Sequence, residues 1–214
     1  MLSRLTLAAL CITAASAADT RFEISYSAQS RPLTGRAFIM ITRTAEREPR
    51  LEIGRVGVPF FGRDFEKLAP DQSATIDATD LGTPVESLAQ IPAGEYYVQA
   101  FINVYSEFKR ADGHAVWMHD DQWEGQRWNR SPGNLYSTPR KIALDPAKGY
   151  DIKLICDQII PPVEMPKDTD YVKRFRMQSP MLTKFWGRPI YLFRRHHAAA
   201  ARLRENYHFL SGAV

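Results

Sequence analysis

Apolar and polar residues alternate through Phe22, Glu23, Ile24, Ser25 and Tyr26, and a compact apolar run flanked by charge, RAFIMITR, follows at 36–43. Both read as β-strands, with Pro32 and Gly35 supplying turn chemistry between them. Gly and Pro then punctuate residues 46–71 around Val56, Phe60, Phe61 and Phe65, which predicts an irregular segment whose aromatics plug the edge of a core. A short strand is predicted over 73–77. Thr83, Pro84 and Glu86 form a capping box with proline at the first helical position, predicting a short helix over 84–90 that Pro92 stops. The run 95–105, rich in Tyr, Val, Phe and Ile, suits a pleated, half-buried surface and is the candidate central strand. Ala111, Asp112 and Gly113 make a hairpin turn with a return strand over 114–119. A second hairpin is predicted from 141–144 and 150–156, turning at Asp145, Pro146 and Gly149.

About seven short strands separated by turn signals predict an all-β fold, an antiparallel β-sandwich of immunoglobulin-like or transthyretin-like form. The sandwich is expected to span 18–160 and to end at a proline-rich linker over 161–170, since Pro161, Pro162 and Pro166 do not suit a central strand. Two orphan strands follow within 171–192. Residues 193–214 form a basic tail rich in Ala, Arg and His, with helix-forming residues but too short and polar to fold alone.

The start of the chain changes the picture by placing it outside the cytoplasm. MLSRLTLAALCITAASA carries Arg4, an apolar run and the small residues Ala15, Ser16 and Ala17, the pattern of a secretory signal peptide over 1–17. The apolar run from 5 to 18 is 14 residues, short of the roughly 20 that span a bilayer, so no membrane span is expected and the protein is expected in the periplasm or outside the cell. Removal of the signal leaves Cys156 as the one cysteine, which excludes an intramolecular disulfide. The formal net charge is +4, but between 18 and 192 there are 23 basic and 23 acidic residues, so nucleic acid is not an expected partner.

Candidate chemistry gathers in 112–136, which holds three of the four tryptophans. No G-x-S-x-G elbow is present, and Cys156 stands at an apolar position of an alternating strand, where a buried thiol is structural. His114, His119, Asp120 and Asp121 offer metal-ligand chemistry, but residues five apart in a strand point to opposite faces and only His119 and Asp121 share one, so neither metal nor cofactor is expected. Asp120, Asp121 and Glu124 are too close along one loop to face each other across a glycosidic bond, and pair more readily with Arg127 and Arg130. Stacking remains: Trp117, Trp123 and Trp128, with His119, Asp121 and Arg130, could hold a sugar or small aromatic ligand, or the tryptophans could fill the loop's own small core. Ser131, Pro132, Gly133 and Asn134 read as a type II turn that closes the loop.

Three segments, YYVQAFINVYSEFKRADGH, DQWEGQRWNRSPGNLYS and LTKFWGRPIYL, resemble the N-terminal region of secreted esterases in which an all-β domain precedes an α/β-hydrolase domain of the enterochelin-esterase and S-formylglutathione-hydrolase type. The resemblance covers about 22–192. It implies that 171–192 begins the hydrolase domain, and it carries no catalytic residue onto this chain, because the nucleophile elbow and its partners are not found in it. On this reading the chain is truncated before the catalytic domain.

Three functions follow as expectations: a non-catalytic accessory domain that shapes or covers the substrate entrance of an esterase-like hydrolase; a free-standing carbohydrate- or small-ligand-binding module; and, last, an esterase complete in itself. The orphan strands, with Phe175, Met181, Leu182, Phe185 and Trp186, are expected to promote self-association through 171–192. The first expectation is checked in the downstream DNA, where one of the three frames should encode a hydrolase-like continuation with a G-x-S-x-G segment; three frames without one would favour the free-standing module.

Overall fold

The computed structural model describes residues 19–121, 127–164, 167–169 and 172–197. The signal-peptide reading over 1–17 and the tail beyond 197 lie outside them. The described chain is an all-β sandwich of two layers with a small C-terminal unit. In chain order the strands are β1 (Thr20–Tyr26), β2 (Leu33–Thr42), β3 (Phe60–Leu68), β4 (Ala74–Asp77), β5 (Gly82–Thr83), β6 (Gly94–Lys109), β7 (Ala115–His119), β8 (Leu135–Tyr136), β9 (Arg140–Leu144), β10 (Tyr150–Cys156), β11 (Gln158–Ile159), β12 (Val172–Gln178) and β13 (Tyr191–His197), with helix α1 (Pro180–Trp186) between the last two.

One layer has the order β10-β1-β4 and the other β11-β8-β6-β2-β3-β5. Strand β6, 16 residues long, organises the larger sheet. One edge pairs with β2 over Gly35–Val104 to Thr42–Tyr97; along the other edge β9, β8 and β7 pair in succession with 94–98, 101–102 and 105–109. The layers meet through the inward positions of each strand. Phe22, Ile24 and Tyr26 of β1 pack on Ile39 and Ile41 of β2 and Val98, Ala100 and Ile102 of β6, all fully or nearly fully buried. Strict alternation along β1 puts Arg21, Glu23 and Ser25 on the outer side. Burial pushes the Cys156 thiol well above its ordinary pKa, so it stays protonated and inert.

The larger sheet is buried on its outer face too. Phe38, Met40 and Phe101 point away from the first core and meet Ile160, with Ile53, Phe60, Trp128 and Tyr136 around them. This second cluster explains why 36–43 and 95–105 read as continuous apolar runs rather than alternating ones: a strand covered on both sides has little polar surface to show.

Several sequence expectations are corrected. Residues 60–68 form a strand, with a register shift against β2 near its end where Lys67 has φ +49°; Phe61 inserts into the first core while Phe60 serves the second. The helix expected over 84–90 is a single 3-10 turn, Leu88–Gln90, capped by the Ser87 hydroxyl, which accepts from the Ala89 amide; Thr83 instead pairs with Phe60. The expected hairpin of 141–156 does not form, since β9 joins β6 in one layer and β10 crosses to run parallel to β1 in the other. The orphan strand expected over 171–178 is β12, whereas the one expected over 187–192 is shifted along the chain to β13; the two pair with each other, and residues 193–197 belong to β13 rather than to a helical tail.

Gly35 sits at the irregularity of β2 where a Cβ would lie 2.1 Å from the Asn103 carbonyl oxygen. Gly35→Ala therefore forces β2 away from β6 and is expected to cost about 1–3 kcal/mol in urea unfolding; a change below about 0.5 kcal/mol would show that the pair adjusts freely.

Candidate functional site

The outer face of β6 places two amides, Gln99 and Asn103, where the apolar pattern would admit only hydrocarbon, and both are buried. Each is satisfied by a loop that it holds against the sheet. Gln99 Oε1 accepts from the Arg50 amide at 2.9 Å, and its Nε2 donates to the Ser137 carbonyl at 2.8 Å. The Ser137 hydroxyl accepts from the Ala100 amide. The 3-10 turn Pro49–Leu51 is thereby fixed to the strand, and Arg50 in turn donates to the Asn129 carbonyl at 3.0 Å and accepts from the Asn129 side chain at 2.6 Å.

Asn103 organises the other end. Asn134 Oδ1 accepts from the backbone amide of Val104 at 2.8 Å, which orients that side chain, so its Nδ2 donates to the Trp128 carbonyl at 2.7 Å and to Asn103 Oδ1 at 3.0 Å. An amide oxygen only accepts, so His119 Nδ1, 3.1 Å from the same atom, must be the protonated ring nitrogen. One backbone N–H thus sets two amide orientations and a histidine tautomer. The loop closes at the turn 131–134, where Gly133 has φ +83° and the Asn134 amide donates to the Ser131 carbonyl, as a type II turn requires.

The candidate ligand residues fall in different places around this hub. Trp117, on β7 opposite Glu107, is 48% exposed. His119 is half-buried at the end of β7, beside Asn103, and Asp121 is exposed just beyond. Trp128 lies in the 3-10 turn Trp128–Arg130 with its ring stacked on Phe38 at 4.3 Å and edge-on to Phe101 at 5.6 Å, so the flat face offered for a ligand is used to close the second core. Arg130 is exposed at the end of that turn. Trp123 and Glu124 lie outside the described residues. Among the described residues there is no group of three or more His, Cys, Asp or Glu that could hold a metal, and no helix long and apolar enough to cross a membrane.

Sequence reasoning missed Gln99, Asn103 and Arg188. The first two are four apart in the central strand and so share one face, a pattern that marks polar anchors on a covered sheet. Arg188 joins the hairpin β6–β7 to the C-terminal unit. Its guanidinium lies 3.9 Å from the centre of the Phe108 ring and 3.5 Å from Asp120 Oδ1. The Ala111 amide donates to the Phe185 carbonyl at 2.7 Å, and Arg110 lies over the Phe185 ring. Gly187 ends α1 in the left-handed conformation, φ +65°, with its missing Cβ directed at the Lys109 carbonyl 2.7 Å away. Phe108 is buried under this contact.

No family model, curated protein or solved structure matches the chain.

Replacing Asn134 by Ala leaves the Val104 amide, the Trp128 carbonyl and Asn103 Oδ1 each short of a partner. Asn134→Ala is expected to lower stability by about 2 kcal/mol or more in urea unfolding and to speed hydrogen exchange at Val104. Unchanged exchange at Val104 would show that water replaces the amide without loss.

Proposed function

We propose that the sandwich is the non-catalytic N-terminal accessory domain of an exported, esterase-like α/β hydrolase, with its β6–β7 rim shaping or covering the substrate entrance. The observation that carries this reading is the seat of the β12–α1–β13 unit on the hairpin tip, through Arg188, Phe108, Asp120 and the Ala111–Phe185 hydrogen bond. That unit is the segment that the sequence resemblance assigns to the start of the hydrolase domain. A rim already committed to main-chain and cation–π contact with it is a rim made for a neighbouring domain rather than for free solute. The packing of Trp128 on Phe38 supports the same reading, because it removes a stacking platform from the loop.

The proposal is tested on purified protein with p-nitrophenyl esters and with sugars. Ester turnover is expected to stay at the uncatalysed rate, and intrinsic tryptophan fluorescence is expected to stay flat on titration with mono- and oligosaccharides. Saturable quenching that disappears in Trp117→Ala would replace the accessory reading by the free-standing binding module; turnover that survives repurification would replace both by an enzyme.

A further inference from the structure

The C-terminal unit differs in charge from everything before it. Residues 19–164 contain 17 Lys and Arg against 21 Asp and Glu, whereas 172–197 contain seven Lys and Arg, two His and no acidic residue. Among the described residues, the two-stranded ribbon and its helix also carry six of the thirteen exposed large apolar side chains within a short stretch of chain. Met177 and Leu192 are paired across the ribbon, and Phe175 is two residues from Met177 on the same face; they are 59%, 47% and 52% exposed. Lys173 shares that face and is exposed. On α1, Met181, Lys184 and Phe185 are three and four apart and exposed together, an apolar-cationic-apolar stripe. On the other side of the ribbon Arg176 lies over the Tyr191 ring at 3.6 Å.

Cations such as Lys173 and Lys184 interleaved with exposed Met, Leu and Phe, on a segment that itself contains no acidic residue, are what the interface of an anionic bilayer selects: the cations meet lipid phosphates and the apolar tips enter the boundary between headgroups and acyl chains. A single-stranded nucleic acid wants aromatic platforms for its bases, whereas much of the apolar surface here is aliphatic or thioether. We propose that the β12–α1–β13 unit is a peripheral docking surface for anionic lipid membranes, which the acidic sandwich faces away from by electrostatic repulsion. The inference goes beyond the accessory-domain reading and does not rest on it. Ester turnover would end that reading and leave this one standing, and failure to bind vesicles would do the reverse.

The experiment is co-sedimentation of the full chain with vesicles of phosphatidylcholine alone and with phosphatidylglycerol added. Binding is expected on the anionic vesicles and not on the neutral ones, and is expected to fall at least about tenfold when ionic strength is raised from roughly 0.05 to 0.5 M. Lys173→Glu with Lys184→Glu should reduce anionic-vesicle binding by about tenfold or more. Phe175→Ser with Met177→Ser should weaken it with the charges kept, and thermal unfolding at the parental temperature shows that each pair of exposed substitutions leaves the fold intact. No sedimentation with anionic vesicles, equal sedimentation with neutral ones, or binding indifferent to both pairs overturns the proposal. So does a discrete dimer at micromolar concentration that the Phe175 and Met177 substitutions dissociate, because a second copy is then the occupant of this face.

Discussion

A single strand that must be buried on both faces constrains the rest of this protein. β6 carries the first core on its inner side and Phe101 on its outer side, and it cannot bend away from either because β2 grips one edge while β9, β8 and β7 hold the other in turn. Among the described residues, no second sheet lies over the outer face. Loops must cover it instead, and loops bring unsatisfied backbone groups into a dry place. Gln99 and Asn103 meet that demand: Gln99 gives an acceptor and a donor to the main chain that crosses over the sheet, and Asn103 Oδ1 accepts from the side chains of Asn134 and His119. The cover is held by amides at its ends and by Trp128 on Phe38 at its centre.

Much of the architecture was legible in the sequence. β1, β4, β6 and the β6–β7 hairpin are local objects, set by alternation of side chains and by turn residues such as Gly113 and Gly133, and they stand where the pattern puts them. What escaped was non-local. A segment such as 60–68, with glycine inside it and aromatics on both faces, has no periodicity of its own and is a strand because β2 offers it hydrogen bonds. The same holds for 141–156, where a local turn signal suggests a hairpin but the sheet partners of its two arms lie in different layers. Pairing choice belongs to the whole fold, and a short run of residues does not encode it.

The candidate site shows the same division. The sequence singled out the tryptophan-rich loop, and its type II turn closes as expected, but the loop's internal order depends on bonds to the strand beneath it that span 16 to 31 residues of chain. His119 draws its tautomer from Asn103, and Asn103 is oriented by Asn134, itself oriented by the amide of Val104. A histidine read from sequence leaves its tautomer open; placed on this strand, His119 donates from Nδ1 to Asn103 Oδ1.

Gly187 shapes the molecule in another way. At Gly187 the C-terminal unit meets the hairpin main chain to main chain, a left-handed turn against the Lys109 carbonyl where a Cβ would lie 2.7 Å from the oxygen. That position tolerates no added atom, while Arg188 on Phe108 and Asp120 and Arg110 over Phe185 hold the rest of the seam through side chains. The two parts differ in surface chemistry, one acidic and one cationic, and at this point they meet through backbone, which carries neither charge.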